Sequence, residues 1–184
     1  MENETALLLI DVQQGMDTDG WGPRNRPWAE SEIARLLTAW RASAAPIVHV
    51  RHLSTNPASP LYSTGPGVAF KPEALPVADE PVFDKRVNSA FMGTHLEAYL
   101  RERGIARLVV AGLTTDHCVS TSVRMAANLG FRVMLAEDAC ATFGRVGYDG
   151  RYYSADELHR AALVSLHGEF AHVVTTTEAI GVSL

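Results

Sequence analysis

Three residues of different chemistry stand where apolar runs give way to polar ones: Asp11 after ALLLI, Lys85 after PVFD, and Cys118 within TTDHC. A carboxylate, an ammonium and a thiol are the parts of an acyl-transfer site, serving as base, charge stabiliser and nucleophile. Cys118 stands at the start of a helix that the apolar spacing predicts over His117–Leu129. A helix start carries partial positive charge and free N–H groups, which favour a thiolate and can hold an oxyanion. Cys118 is therefore expected to have a depressed pKa and to alkylate faster than Cys140, which reads as buried and inert. Singly, each residue has a plainer use. A free cysteine serves as core, Asp11 as a loop hydrogen-bond partner, and Lys85 as a surface lysine.

The elements that must position these residues follow from periodicity. Ala6–Val12, Pro46–Arg51, Pro81–Lys85, Arg107–Leu113, Arg132–Glu137 and His172–Thr175 read as six strands. Between them, Glu30–Ser43 places Ile33, Leu36, Leu37 and Trp40 on one helical face. Capping-box pairs, Thr94 with Glu97 and Ser154 with Glu157, predict helices that run to Gly104 and Gly168. A short helix closes the chain. Strands alternating with helices imply an α/β fold: a three-layer, doubly wound, mostly parallel sheet with helices on both faces, as a single domain over residues 1–184. In such sheets ligands bind beyond the carboxyl ends of the strands. Asp11, His52, Lys85, Thr114–Cys118 and Asp138 all arrive at that rim. Two long loops, Gln13–Pro27 and His52–Asp79, are expected to shape the site.

Composition narrows the function. The net charge is −5 and no basic stripe appears, which argues against nucleic-acid binding. The apolar run Ala6–Ile10 is too short to span a bilayer and lacks a basic leader, so the expectation is a cytoplasmic protein with no membrane association. Two cysteines make no disulfide framework.

Taken together, the stretches LLLIDVQ, FDKRVNSAF and GLTTDHCVSTSVRMAANLGF resemble, in order and spacing, the isochorismatase-like cysteine hydrolases, relatives of nicotinamidase and N-carbamoylsarcosine amidohydrolase. The resemblance runs from about Leu7 to about Phe143. It implies the strand order 3-2-1-4-5-6 and a catalytic set of Asp11, Lys85 and Cys118. It also implies a cis peptide at Leu113–Thr114, an oxyanion hole from the Thr114 and Cys118 amides, and the family's glutamine at Gln13 as a substrate-binding residue. His117 and Phe91 would border the pocket, although Phe91 equally suits the core. Metal-dependent nicotinamidases carry Asp-x-His after the second strand. Here the segment reads HVRHLS, and His49 and His52 fall on opposite faces of a strand, so neither metal nor cofactor is expected.

The expected walls, Trp21, His52, Phe91, His117 and Phe143, are mostly uncharged, and Arg51 should face away from them. A small neutral amide, urea or lactam therefore fits better than an anion. Two other readings stand beside the amidohydrolase: a vinyl-ether hydrolase of isochorismatase type, for which the cysteine is dispensable, and a non-catalytic binding module. Asp138 is expected to orient a loop. Arg145, Tyr148, Tyr152 and Tyr153 form a glycine-rich segment that either caps the pocket or meets another subunit. With relatives that are usually oligomeric, that segment implies a homo-oligomer, dimer or tetramer.

Overall fold

The computed structural model describes residues 5–77 and 79–183. The six strands form one parallel sheet. They are β1 (Thr5–Ile10), β2 (Ile47–His52), β3 (Val82–Lys85), β4 (Arg107–Leu113), β5 (Arg132–Ala141) and β8 (His172–Val174), in the order β3-β2-β1-β4-β5-β8. A separate antiparallel hairpin, β6 (Arg145–Val146) with β7 (Tyr152–Tyr153), lies outside the sheet. Each of these strands is two residues long, too short for a period to show in the sequence.

All six residues of β1 are buried, as a central strand covered on both faces requires. Alternate side chains divide between two cores. Leu8 and Ile10 pack with α2 (Leu96–Glu102), α3 (Ser120–Asn128) and α4 (Ala155–Leu166). Leu7 and Leu9 pack with α1 (Ala29–Ala42) and α5 (Thr176–Ser183). On α1 the buried residues Ile33, Leu36, Leu37 and Trp40 form the expected stripe, and Trp40 Nε1 donates to the Thr5 carbonyl at 2.9 Å. No helix among the described residues is long and apolar enough to cross a membrane.

Local expectations hold in part. The Ser154–Glu157 capping box forms as expected. The Thr94–Glu97 box does not, and α2 starts at Leu96 without a side-chain cap. Thr94 Oγ1 instead donates to the Ala90 carbonyl at 2.6 Å, and Glu97 takes Arg101 four residues on at 2.8 Å. β5 runs past Glu137 to Ala141, so Asp138 lies inside a strand and not after one. There the register skips: Val110 faces Leu135, while Gly112 faces Cys140. Asp138 Oδ1 accepts from the Thr176 amide and hydroxyl at 2.7 and 2.8 Å, tying β5 to the start of α5.

Two close backbone approaches build the site's frame. At the rim, Gly112 pairs with Ile10 at a φ of +130°, and a Cβ there would lie 2.0 Å from the Ile10 carbonyl oxygen. Above the rim, the two long loops meet at Pro60, whose carbonyl oxygen would lie 2.6 Å from a Cβ on Gly15 and 2.1 Å from one on Gly67. Lys71 Nζ fastens the loops, 2.5 Å from both Asp17 and Glu30, and Arg24 reaches Glu30 at 2.6 Å.

These contacts predict opposite outcomes for two glycine substitutions. Gly112→Ala should destabilise the fold by more than about 3 kcal/mol, since both φ and the Ile10 contact forbid a methyl group. Gly181→Ala, in α5 with open space around it, should be neutral or stabilising by up to about 1 kcal/mol. Urea denaturation of both variants checks this. Equal midpoints would show that the β1–β4 approach is not tight.

Candidate active site

The carboxyl ends of β1, β2, β3 and β4 bring the expected residues together. Asp11 follows β1 with a left-handed φ of 52° and is fully buried. Lys85 ends β3, two strands away, and its long side chain reaches back beneath His52, its neighbour in register. Lys85 Nζ lies 2.7 Å from Asp11 Oδ2, 3.2 Å from Cys118 Sγ, 3.0 Å from His52 Nδ1 and 3.2 Å from the Val87 carbonyl oxygen. Lys85 and Asp11 thus form a fully buried ion pair, and Lys85 and Cys118 both face the Asp11 carboxylate. His52 points inward, while Arg51 turns out to pair with Asp84 at 2.8 Å. His49 sits on the other face from His52, 2.8 Å from Glu80.

Cys118 does not sit in the first turn of an α-helix. It lies in a π-helical turn, Thr115–Val119, that precedes α3. The Thr114 carbonyl accepts from His117 at 3.1 Å and Val119 at 3.2 Å, bracketing the Cys118 amide, and the Leu113–Thr114 peptide is cis. The turn is fastened on two sides. Thr115 Oγ1 bonds to buried His159 Nδ1 at 2.8 Å. Asp116 takes Thr142 Oγ1 at 2.5 Å and Arg145 from the β6–β7 hairpin.

The electrostatics correct one expectation. Burial, then the negative charge of Asp11, push the Cys118 thiol up to about 12, where the helix start had suggested a depressed value. Magnitudes explain the reversal. Withdrawing a thiolate from water costs several kcal/mol, and the charges of Asp11 and Lys85 beside it act in opposite directions. A helix terminus returns only about 0.3–1 kcal/mol. Asp11 is itself raised, by burial, with Lys85 pulling it back. Both groups thus hold a proton more tightly than usual, and groups this close are expected to titrate as one coupled pair with a shared proton. His52 is held down to about 4, by burial and then by the charge of Lys85, and is neutral at pH 7.

Over this floor lies a cavity of about 140 Å³. Of the residues expected at the site, Trp21, His52, Thr114, His117 and Cys118 line it. Three expected to bind substrate do not. Phe91 packs into the core, stacked on Phe131 at 5.9 Å. Phe143 stands behind Trp21, stacked at 5.6 Å. Gln13 is fully buried and braces the His52 backbone, donating to its carbonyl at 3.1 Å and accepting from its amide at 2.8 Å. Sequence reasoning missed Met16, Ser59 and Leu61 from the loops, and Asn88, whose Nδ2 is 3.6 Å from Cys118 Sγ. Asn88 had a signal: it is a polar residue three positions after Lys85, inside the stretch FDKRVNSAF. The loop residues had none, because irregular segments have no period.

The chain matches the Isochorismatase domain over residues 5–178. The isochorismatase family protein YrdC of Bacillus subtilis is 41% identical, over 98% of this chain and 96% of its own length. Nicotinamidase 3 of Arabidopsis thaliana is 38% identical, over 92% of this chain and 83% of that protein. An isochorismatase-family structure from Chromobacterium violaceum aligns with a TM-score of 0.94 at 49% identity, covering 98% of this chain and 93% of that one.

The shared proton has a measurable consequence. If Cys118 passes its proton to Asp11, its thiolate fraction is set inside the pair and not by bulk pH. Alkylation of Cys118 by iodoacetamide should then change by less than about threefold between about pH 7 and 9. In Asp11→Asn it should follow bulk pH, rising and then levelling off above the thiol's own pKa, like an ordinary thiol. Peptide mass spectrometry reads both, with buried Cys140 as the slow internal reference. A tenfold rise per unit in the unaltered protein would refute the shared proton.

Proposed function

The chain belongs to the isochorismatase family, and from that membership we propose that it is a cysteine-dependent amidohydrolase of small, uncharged amide-type C–N bonds. One observation carries the reading: Lys85 Nζ bridges a buried carboxylate and a thiol that opens onto a cavity. A vinyl-ether hydrolase has no need of this thiol, and a binding module has no need of the three groups in contact. The similarity to a nicotinamidase supports the amide as the bond that is cut.

In this reading Asp11 takes the Cys118 proton and Sγ attacks the substrate carbonyl carbon. The carbonyl π electrons move to oxygen, where the Thr114 and Cys118 amides stabilise the negative charge. The C–N bond then breaks and Asp11 returns its proton to the departing nitrogen, leaving a thioester. Asp11 next deprotonates a water molecule, hydroxide adds to the thioester, and the thiolate leaves and regains the proton. The cation beside the reacting groups throughout is Lys85.

The walls support a neutral substrate. The described lining residues include no Arg or Lys, and Met16, Trp21 and Leu61 contribute apolar surface. Arg145, at the rim, is paired with Asp116. An anion entering this cavity finds no free counter-charge and loses its hydration.

Incubation with a panel of primary amides, ureas and lactams, with ammonia or acid release as readout, tests the proposal. At least one neutral member should be hydrolysed, with kcat/KM about tenfold or more above that of its carboxylated analogue. Cys118→Ala should lower that rate by about 10³-fold or more. Amide hydrolysis that survives in Cys118→Ala would contradict the nucleophile, and a preference for the carboxylated series would reverse the description of the walls.

A further inference from the structure

A hydroxyl, an imidazole and a carboxylate stand in line behind the cysteine turn, and the proposed mechanism uses none of them. Thr115, the first residue of the π turn, is fully buried. Its Oγ1 lies 2.8 Å from Nδ1 of His159, a buried residue of α4. The other ring nitrogen, Nε2, lies 3.6 Å from Glu137 Oε2 on β5. That same oxygen takes Arg26 Nη2 at 2.6 Å, from the loop that also carries Trp21. Burial, then the charge of Arg26, holds His159 below the usual histidine range, so the ring is neutral at pH 7. A neutral imidazole carries one proton. A carboxylate only accepts, and it repels a bare ring lone pair, so the proton sits on Nε2 and Nδ1 accepts from the Thr115 hydroxyl. The order is that of a nucleophilic triad. Thr115 is shut off from the cavity, however, so its hydroxyl has no substrate to attack.

We infer that His159 is a positioning residue for the thiol: by accepting from Thr115 it fixes the π turn where Cys118 Sγ meets both Lys85 and the cavity. This rests on the reading of Cys118 as the nucleophile of an amidohydrolase. A single π turn has few backbone bonds of its own; here the Ser120 amide reaches back to the Thr115 carbonyl. Its hold must therefore come from outside. Asp116 is held by Thr142 and by Arg145, whose side chain is 41% exposed and screened by water. Thr115 is held from the dry side, by His159. Sγ leaves little room for error, at 3.2 Å from Lys85 Nζ and 3.6 Å from Asn88 Nδ2, and a misplacement of about 1 Å can cost an enzyme about a hundredfold in rate. The charged groups that face His159 are Glu137 from β5, Arg26 from the loop before α1, and Asp156 from the first turn of α4. Glu137 is thus a common anchor for the turn that carries the thiol and the loop that carries Trp21.

Substitutions at both ends of this hydrogen bond test it on the full-length protein. Thr115→Val keeps the shape and removes the donor, and His159→Leu removes the acceptor. Each should lower kcat on the best amide substrate by about tenfold or more and leave KM within about twofold, since neither residue lines the cavity. His159→Asn, whose Oδ1 takes the place of Nδ1, should recover part of the loss, whereas His159→Gln, which reaches the Nε2 position, should not. Alkylation of Cys118 by iodoacetamide reads the displacement without a substrate. Its pH profile should steepen towards that of Asp11→Asn as Sγ leaves the charges of Asp11 and Lys85, with His52 and Asn88 still beside it. Cys140 should stay slow in every variant that keeps its core. Unchanged kcat with an unchanged profile in Thr115→Val would overturn the inference, whether or not His159→Leu folds. So would a loss confined to KM, or equal losses in His159→Asn and His159→Leu. Failure of the amidohydrolase reading looks different: no amide is cleaved by any of these proteins, while the change in the alkylation profile remains.

Discussion

One ammonium group, Lys85 Nζ, lies within 3.2 Å of a carboxylate, a thiol and an imidazole nitrogen. Lys85 and Asp11 are both withdrawn from water. A carboxylate buried this deeply is tolerable beside an opposite charge and costs several kcal/mol without one. The rest of the site follows from that pairing. Burial raises both Asp11 and Cys118, and the charge of Lys85 pulls each back. His52 Nδ1 lies 3.0 Å from the same ammonium. The three groups also have the spacing of a metal-ligand set, but their donor atoms converge on a lysine.

The fold brings these groups together with little freedom. β1 and β4 meet at Ile10 and Gly112 because a hydrogen replaces a side chain there, so the segments carrying Asp11 and Cys118 start side by side. The π turn then lifts Cys118 towards the cavity, and His159 of α4 and Arg145 of the hairpin fix its first two residues, Thr115 and Asp116. The roof is held separately, by the glycine contacts at Pro60 and the ionic cluster of Arg24, Glu30, Lys71 and Asp17. A floor set by strand ends and a roof set by loops let the chemistry stay constant while the pocket walls vary.

The sequence revealed most where side-chain type and period constrain each other. Six apolar runs and the α1 stripe gave the sheet and its two cores, and polar residues at the strand ends gave Asp11, Lys85 and Cys118. It revealed least where one residue type suits two environments. Phe91 and Phe143 are as fit for a core as for a wall, and only packing shows that Phe131 and Trp21 cover them. Gln13 is polar at the rim, yet all its bonds serve the backbone around it. The sign of the Cys118 shift was illegible because a helix start is visible in one dimension, whereas burial against Asp11 is not. The Thr94–Glu97 pair had the right spacing for a cap, but each side chain had a nearer partner.

The central claim is that Cys118 carries the acyl group while Asp11 and Lys85 manage the proton and the charge. The most direct measurement is intact-protein mass spectrometry on samples acid-quenched within milliseconds of mixing with the best amide substrate. The account predicts a transient mass increase equal to the acyl group, mapping to the peptide that contains Cys118 and absent in Cys118→Ser. Turnover at full rate with no adduct on Cys118 at any time point, or an adduct on another residue, would contradict it.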